Sequence, residues 1–265
     1  MKKSNLLILI KYEFLENLRN NWLYLYFFIS FAGALSIIAL AANEPNKATA
    51  SLLSLSLLMI PLFSLLFSGL SFADSVAFLE TVIVRKVSRP EIFLSKYLGQ
   101  FLGMSLVYTL AYTLAGLFAF RHGRYLSTFV LLVAQGILLH AIFSAFAMLL
   151  AGLVRRKDML IAVLLCTWFY FYIVYDLLIM TVGVLLGDYP IEGVVLGMFF
   201  LNPLDLVRME ILLNMDLAAL LGFGAAMFQH VFGGISGVAV TFIVLLLWAA
   251  VPFWLALRYF KHKDL

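Results

Sequence analysis

Six stretches of this chain, 22–42, 49–73, 96–120, 127–154, 159–186 and 236–258, are each twenty residues or more in length and predominantly apolar. A helix rises about 1.5 Å per residue, so about twenty apolar residues cross the roughly 30 Å of a bilayer's hydrocarbon. The runs do not alternate apolar with polar, which excludes barrel strands and leaves helices as the way to satisfy every backbone amide away from water. The chain as a whole is 65% hydrophobic and 12% charged, far from the roughly one quarter charged of soluble domains. The expectation is an all-α membrane protein of six transmembrane helices in a single domain, 1–265, with no room for a large soluble unit. The apolar stretch at Leu6–Ile10 is too short for a cleavable signal, and Lys11, Glu13 and Glu16 break the apolar character directly after it.

Charge placement sets an orientation. With the N-terminus in the cytoplasm, fourteen of the eighteen Lys and Arg residues fall on the cytoplasmic side, and Lys47, Arg121, Arg124 and Arg208 fall outside. That bias places both termini in the cytoplasm, and it accounts for a pI near 9.1 without nucleic acid as a partner. Residues 4–20 form an amphipathic helix with Leu7, Ile10, Phe14 and Leu18 in one stripe and Lys11, Glu16, Asn17 and Asn20 elsewhere. It fits either the inner interface or an extension of the first span. The segment 187–235 is an outer stretch. The run Met209–Phe228 within it carries Glu210 and Asp216, and the segment fits either the interface or a dip into the protein.

Six of the seventeen residues from Glu80 to Lys96 are charged, between two apolar runs. Asp74–Val87 has helical composition, with Asp74 at its start and Arg85 and Lys86 at its end, charges that suit the helix macrodipole. Ser88-Arg89-Pro90-Glu91 has the form of a capping box, Ser88 capping the amide of Glu91 and Glu91 reaching back. This pattern predicts a short cytoplasmic helix, a corner and a membrane helix. They suit a lever held by a partner, though on shape and charge alone a solvated loop whose basic residues set topology fits better.

The segment VSRPEIFLSKYLG resembles the stretch after the coupling helix in permeases of ABC-2 type transporters: Val87, Ser88, Arg89, Glu91, Ile92 and Lys96 fall in register with P-x-S-R-x-E-I-x-x-x-K. KYEFLENLRNNW is similar to that family's N-terminal helix. Ala77-Phe78 stands where Gly-Thr is usual, and Lys86 where a proline is common. The resemblance implies the type V exporter-like fold with 74–89 as coupling helix. It implies a homodimer bound to a cytoplasmic ATP-binding cassette ATPase dimer, in a prokaryotic inner membrane. ATP would be bound and hydrolysed by that partner, since this chain has no G-x-x-x-x-G-K-[ST] loop. Glu80, Arg85, Arg89 and Glu91 would form the ATPase-coupling set.

Three further stretches, WFYFYIVYDLL (168–178), FLNPLDLVRMEIL (200–212) and FGGISG (232–237), are similar to the permeases of transporters that serve nitrous oxide reductase maturation, the NosY-type group. That implies a periplasmic β-helical protein and a copper chaperone as further partners, and export or handover of copper or a sulfur species. Tyr175-Asp176, Asn202-Pro203, Asp205 and Arg208 match, which makes Asp176, Asn202, Asp205 and Arg208 translocation or outer-partner candidates. On their own chemistry, Asn202 caps a helix begun by Pro203, and Asp205 and Arg208 pair at i,i+3. Asp176, inside the fifth run, needs either a hydrogen-bonding neighbour or a water-filled path. Met180, Met198, Met209, Met215 and Met227 fall within 180–227, with His230 near. Thioether and imidazole suit Cu(I), and methionine also fills gaps between apolar helices. His140 reads as a packing or hydrogen-bonding residue, and lone Cys166 as a small buried hydrophobe. Gly99/Gly103, Gly183/Gly187 and Gly233/Gly237 have the spacing that lets helices approach closely. Two other classes fit an apolar chain of this kind: a membrane assembly factor that moves nothing, and a secondary transporter with Asp176 as its proton site.

Overall fold

A backbone amide in hydrocarbon finds no water, so each apolar run closes its own hydrogen bonds as a helix. The computed structural model describes residues 2–41, 44–83, 88–119, 126–154, 156–186, 192–215 and 234–262. Its helices are α1 (Lys2–Leu18), α2 (Asn21–Leu40), α3 (Pro45–Ile83), α4 (Arg89–Ala119), α5 (Leu126–Leu153), α6 (Lys157–Phe169), a π turn (Tyr170–Val174), α7 (Tyr175–Leu185), α8 (Glu192–Phe200), α9 (Pro203–Asn214) and α10 (Gly234–His262). There is no strand among the described residues. Among the described residues six segments are long and apolar enough to cross a membrane: Asn21–Leu40, Asn46–Ser75, Arg89–Leu117, Leu126–Leu153, Lys157–Leu185 and Ser236–Lys261. These are the six expected runs.

Helix α5 is central, packed along α3 on one side and α10 on the other, while α2, α6–α7 and α10 turn most of their surface outward. A seam of hydroxyls and one imidazole threads the centre. His140 on α5 is fully buried, its Nδ1 bonded to Ser64 Oγ (2.7 Å) and its Nε2 to Tyr26 OH (3.2 Å). Ser68 donates to Ser144, Ser56 to Tyr112 OH, and Tyr97 OH to the Ala141 carbonyl. Such bonds fix the relative rotation of helices whose apolar surfaces alone specify little, since lipid is as apolar as leucine. His140 is the hydrogen-bonding residue expected of it, whereas Cys166 is exposed on α6 rather than buried.

The amphipathic helix is a separate element and not an extension of the first span. The chain turns at Arg19-Asn20, and Asn20 caps α2 through its side-chain oxygen on the Trp22 amide (3.0 Å). Helix α1 lies against the start of α4, and the expected stripe holds only in part: Ile10, Phe14 and Leu18 are half-buried. Glu13 and Asn17 are buried, while Leu7 is 67% exposed together with Ile8, Tyr12 and Leu15. The cause is on α4. Gly99 lets the α1 backbone approach until an added Cβ would sit 2.6 Å from Glu13 Cβ, and Lys96 Nζ donates to Glu13 Oε2 at 2.8 Å with both side chains buried. The Gly99/Gly103 pair thus seats α1. Of the other two pairs, Gly187 and Gly233 lie outside the described residues.

A further difference concerns an element end. Helix α3 runs unbroken from Pro45 to Ile83, so Asp74 does not start a separate helix; nothing in Ser71–Ser75 breaks the pattern, and Lys157 Nζ holds Asp74 Oδ1 from the side (2.7 Å). Of the run Met209–Phe228, α9 takes the part up to Asn214, and 216–228 lie outside the described residues.

The segment between the fifth and sixth spans dips into the protein. Asn202, in the turn between α8 and α9, donates to the Phe171 carbonyl (2.9 Å), and Trp248 Nε1 donates to the Phe200 carbonyl (2.9 Å). Phe171 lies halfway along Lys157–Leu185, and Trp248 halfway along Ser236–Lys261. Two independent registers therefore put the tip of the α8–α9 hairpin at the middle of the spans. Almost all of α9 is buried against α3, α5, α8 and α10.

Candidate functional site

Two places gather chemistry, one at the end of the bundle that holds α1 and one deeper, around the tip of the α8–α9 hairpin. At the end that holds α1, the corner before α4 forms as a variant of the expected capping box. Glu91 Oε2 reaches back to the Ser88 amide (3.1 Å), as expected, but the Ser88 hydroxyl donates to that same oxygen (2.6 Å) instead of capping the Glu91 amide. A carboxylate accepting two donors is the stronger arrangement. Arg89 opens α4 one residue later. Arg85 and the side chain of Glu80 lie outside the described residues, so Arg89 and Glu91 represent the coupling set here. A cavity of about 440 Å³ opens among the four helices at this end, lined by Tyr12 and Glu16 of α1, Trp22 of α2, Ser71 and Asp74 of α3, and Lys96 of α4. Burial pushes the Glu13 carboxyl above its ordinary range, and Lys96 opposes that shift.

Around the hairpin tip, α9 carries polar residues into the bundle and each finds a partner. Asn202 caps α9, its Oδ1 accepting from the Leu204 amide (3.0 Å), while its Nδ2 donates to Phe171 O and to Asp205 Oδ2 (2.6 Å). Pro203 takes the first helical position, where its missing N–H costs nothing. Arg208 Nη1 donates to Asp205 Oδ1 (2.9 Å) and to Asp176 Oδ2 (2.7 Å). All four outer candidates, Asp176, Asn202, Asp205 and Arg208, thus meet in one cluster. The i,i+3 pair and the cap are as expected from the sequence. The link to Asp176, thirty-two residues before Arg208, is not.

The cluster has two carboxylates for one guanidinium. Asp205 is the more enclosed, its side chain 2% exposed against 37% for Asp176. Desolvation outweighs the Arg208 attraction and, with the second carboxylate beside it, pushes the Asp205 carboxyl up to about 7. Arg208 is held charged by the two aspartates against the opposing effect of burial.

Glu210, just beyond Arg208 on α9 and fully buried, is a member that sequence reasoning passed over as a site. Its Oε2 accepts from Thr241 of α10 (2.8 Å) and its Oε1 from Asn214 (2.8 Å), and burial raises its carboxyl above the usual range. The signal was present: a carboxylate in an apolar run demands a partner. Met209 and Met215 sit in the apolar core and fill space there. Met198 is partly buried, its carbonyl accepting from Tyr175 OH (2.8 Å). Met180 is exposed, and Met227 and His230 lie outside the described residues. Among the described residues no group of three or more His, Cys, Asp or Glu is arranged to hold a metal.

No family model matches the chain. Over 95% of its length it is 27% identical to a curated protein of Stutzerimonas stutzeri named "Probable ABC transporter permease protein NosY", of which it covers 96%. The chain is a distant, full-length relative of that protein.

Proposed function

We propose that this chain is the membrane-spanning permease subunit of an ATP-driven ABC transporter, working as a homodimer on two copies of a separate cytoplasmic ATPase. The observation that carries this reading is the end-to-end similarity to a protein named as such a permease. Six spans and a built corner at Ser88–Glu91, in the segment that resembles the family's coupling region, support it. In the resting membrane both termini and the corner face the cytoplasm, and the α8–α9 hairpin faces outward.

ATP-driven closure of the ATPases pushes on 74–89. Because α3 is continuous through Asp74, the push travels straight along the second span as well as turning into α4. Helix α1 moves with α4 through the Glu13–Lys96 pair. The cargo is copper or a sulfur species handed over for nitrous oxide reductase maturation, as the resemblance at 168–178, 200–212 and 232–237 suggests. Affinity purification of the tagged chain brings down an ATPase, and Arg89→Glu lowers cargo-stimulated ATP hydrolysis in the assembled complex. Purification without any ATPase refutes the reading in favour of a non-transporting assembly factor.

A second reading, export of a lipid or drug, draws on one observation. An apolar groove of about 440 Å³ runs between α5, the tip of α8 and α10, lined by Phe146, Phe200, Val244, Trp248, Val251 and Leu255. Stimulation of the ATPase by lipids or hydrophobic drugs, and not by copper or sulfur compounds, selects it.

A further inference from the structure

The fifth span is interrupted at its midpoint by the π turn Tyr170–Val174, where the Tyr175 amide bonds back to the Tyr170 carbonyl. A π turn holds one residue more than an α turn. Everything beyond it is therefore rotated by one residue step, about 100°, from where an unbroken helix would place it. This rotation is what points Asp176 at Arg208.

The re-entrant hairpin grips the bulge and the residues just beyond it. Asn202 Nδ2 donates into it at the Phe171 carbonyl (2.9 Å). Just beyond it, Tyr175 OH donates to the Met198 carbonyl (2.8 Å) and Arg208 holds Asp176 (2.7 Å). Asn202 and Arg208 are themselves tied through Asp205 (2.6 and 2.9 Å). No proline fixes the bulge, since 157–186 contains none. Its register depends on contacts from another element, which is the property of a two-state joint.

We infer that the Asp176–Arg208 pair is a latch that holds the fifth span in its π-bulged register, and that releasing it lets the span wind back into an unbroken α-helix, turning α7 one residue step against the α8–α9 hairpin. In an α register each residue of α7 takes the azimuth its successor has now. Leu178, 43% exposed, moves to the half-buried place of Ile179; Ile179 moves to the place of Met180, 66% exposed. That this rotation opens the outer side during transport rests on the permease reading; the rotation itself does not.

The test uses the full-length chain in lipid bilayers, with Cys166→Ser to remove the native thiol and a nitroxide spin label on a cysteine at Leu178 or at Ile179. Oxygen accessibility is compared with and without Asp176→Asn or Arg208→Gln. The expected result is a fall at 178 and a rise at 179, so that 179 becomes the more accessible of the two. General loosening raises both. That outcome, or no change at either, or any pattern other than the opposed pair, overturns the latch. Failure here leaves the partner ATPase to be found or not by purification, so the two proposals fail separately.

Discussion

The seat of α1 on α4 allows a worked test. An alanine methyl at Gly99 would lie 2.6 Å from Glu13 Cβ and 3.1 Å from the backbone at Glu13 and Phe14. Ordinary contact is 3.4–4 Å, and a helix backbone cannot rotate aside, so α1 must retreat by close to an ångström. That retreat stretches the 2.8 Å Lys96–Glu13 pair in a place where both side chains are largely buried. Overpacking of this kind costs about 1–3 kcal/mol, against a gain of about 1 kcal/mol for alanine over glycine in a helix. Gly103→Ala is the internal control. Its methyl would meet Leu23 Cδ2 at 3.3 Å, the end of a flexible side chain, and Asn17 Cβ at 3.6 Å, so the propensity gain stands nearly undiminished. Gly99→Ala should therefore lower the thermal midpoint in detergent by roughly 2–4 °C per kcal/mol lost and speed tryptic cutting at Arg19, between α1 and α2. Gly103→Ala should do neither. If the Gly99 variant is as stable and as protected as the Gly103 variant, the close approach of α1 to α4 is wrong.

Removing one partner of the buried pair, by Lys96→Met, should cost about 3–5 kcal/mol, while the double change Glu13→Leu with Lys96→Met should recover most of it; thermal denaturation of the three proteins checks this. Asp205 has a folded-state value above its ordinary 3.8, so the stability it confers is complete below that ordinary value and is lost as pH rises through about 7. The thermal midpoint should fall between pH 6 and pH 8 by the equivalent of about 1 kcal/mol, and Asp205→Asn should flatten that slope. Trp248→Phe keeps an aromatic ring but removes the indole N–H that donates to the Phe200 carbonyl, at a cost of about 0.5–1.5 kcal/mol, read as earlier melting and as faster amide exchange confined to α8 and α9.

What was legible in the sequence was what is local. Apolar runs specify spans because the bilayer leaves the backbone no other choice. Asn202-Pro203, the Asp205–Arg208 pair and Ser88 with Glu91 act within four residues, so their spacing foretells their contacts. The partner of Asp176 was not legible because it lies across a re-entrant fold, and nothing in YIVYDLL announces the π turn that aims it. Asn17 looked solvent-facing by hydrophobicity alone; a glycine and a lysine on another helix turned that face inward. The length of α3 was hidden for the opposite reason: Asp74 looked like a helix start, and the helix simply continued past it.

That helix has a mechanical consequence. Thirty-nine residues from Pro45 to Ile83 make a helix about 58 Å along its axis, nearly twice the roughly 30 Å of hydrocarbon, with Pro61 near its middle as the place where it can bend. If it pivots at Pro61, a sideways pull of about 5 Å at the Ile83 end tilts the half beyond it by about 9°. Tilt changes how well its apolar surface matches the surrounding lipid, at a cost set by membrane thickness. The bilayer then loads the helix as a spring does. Reconstituted in thicker or thinner lipids, the same chain would work against a different load.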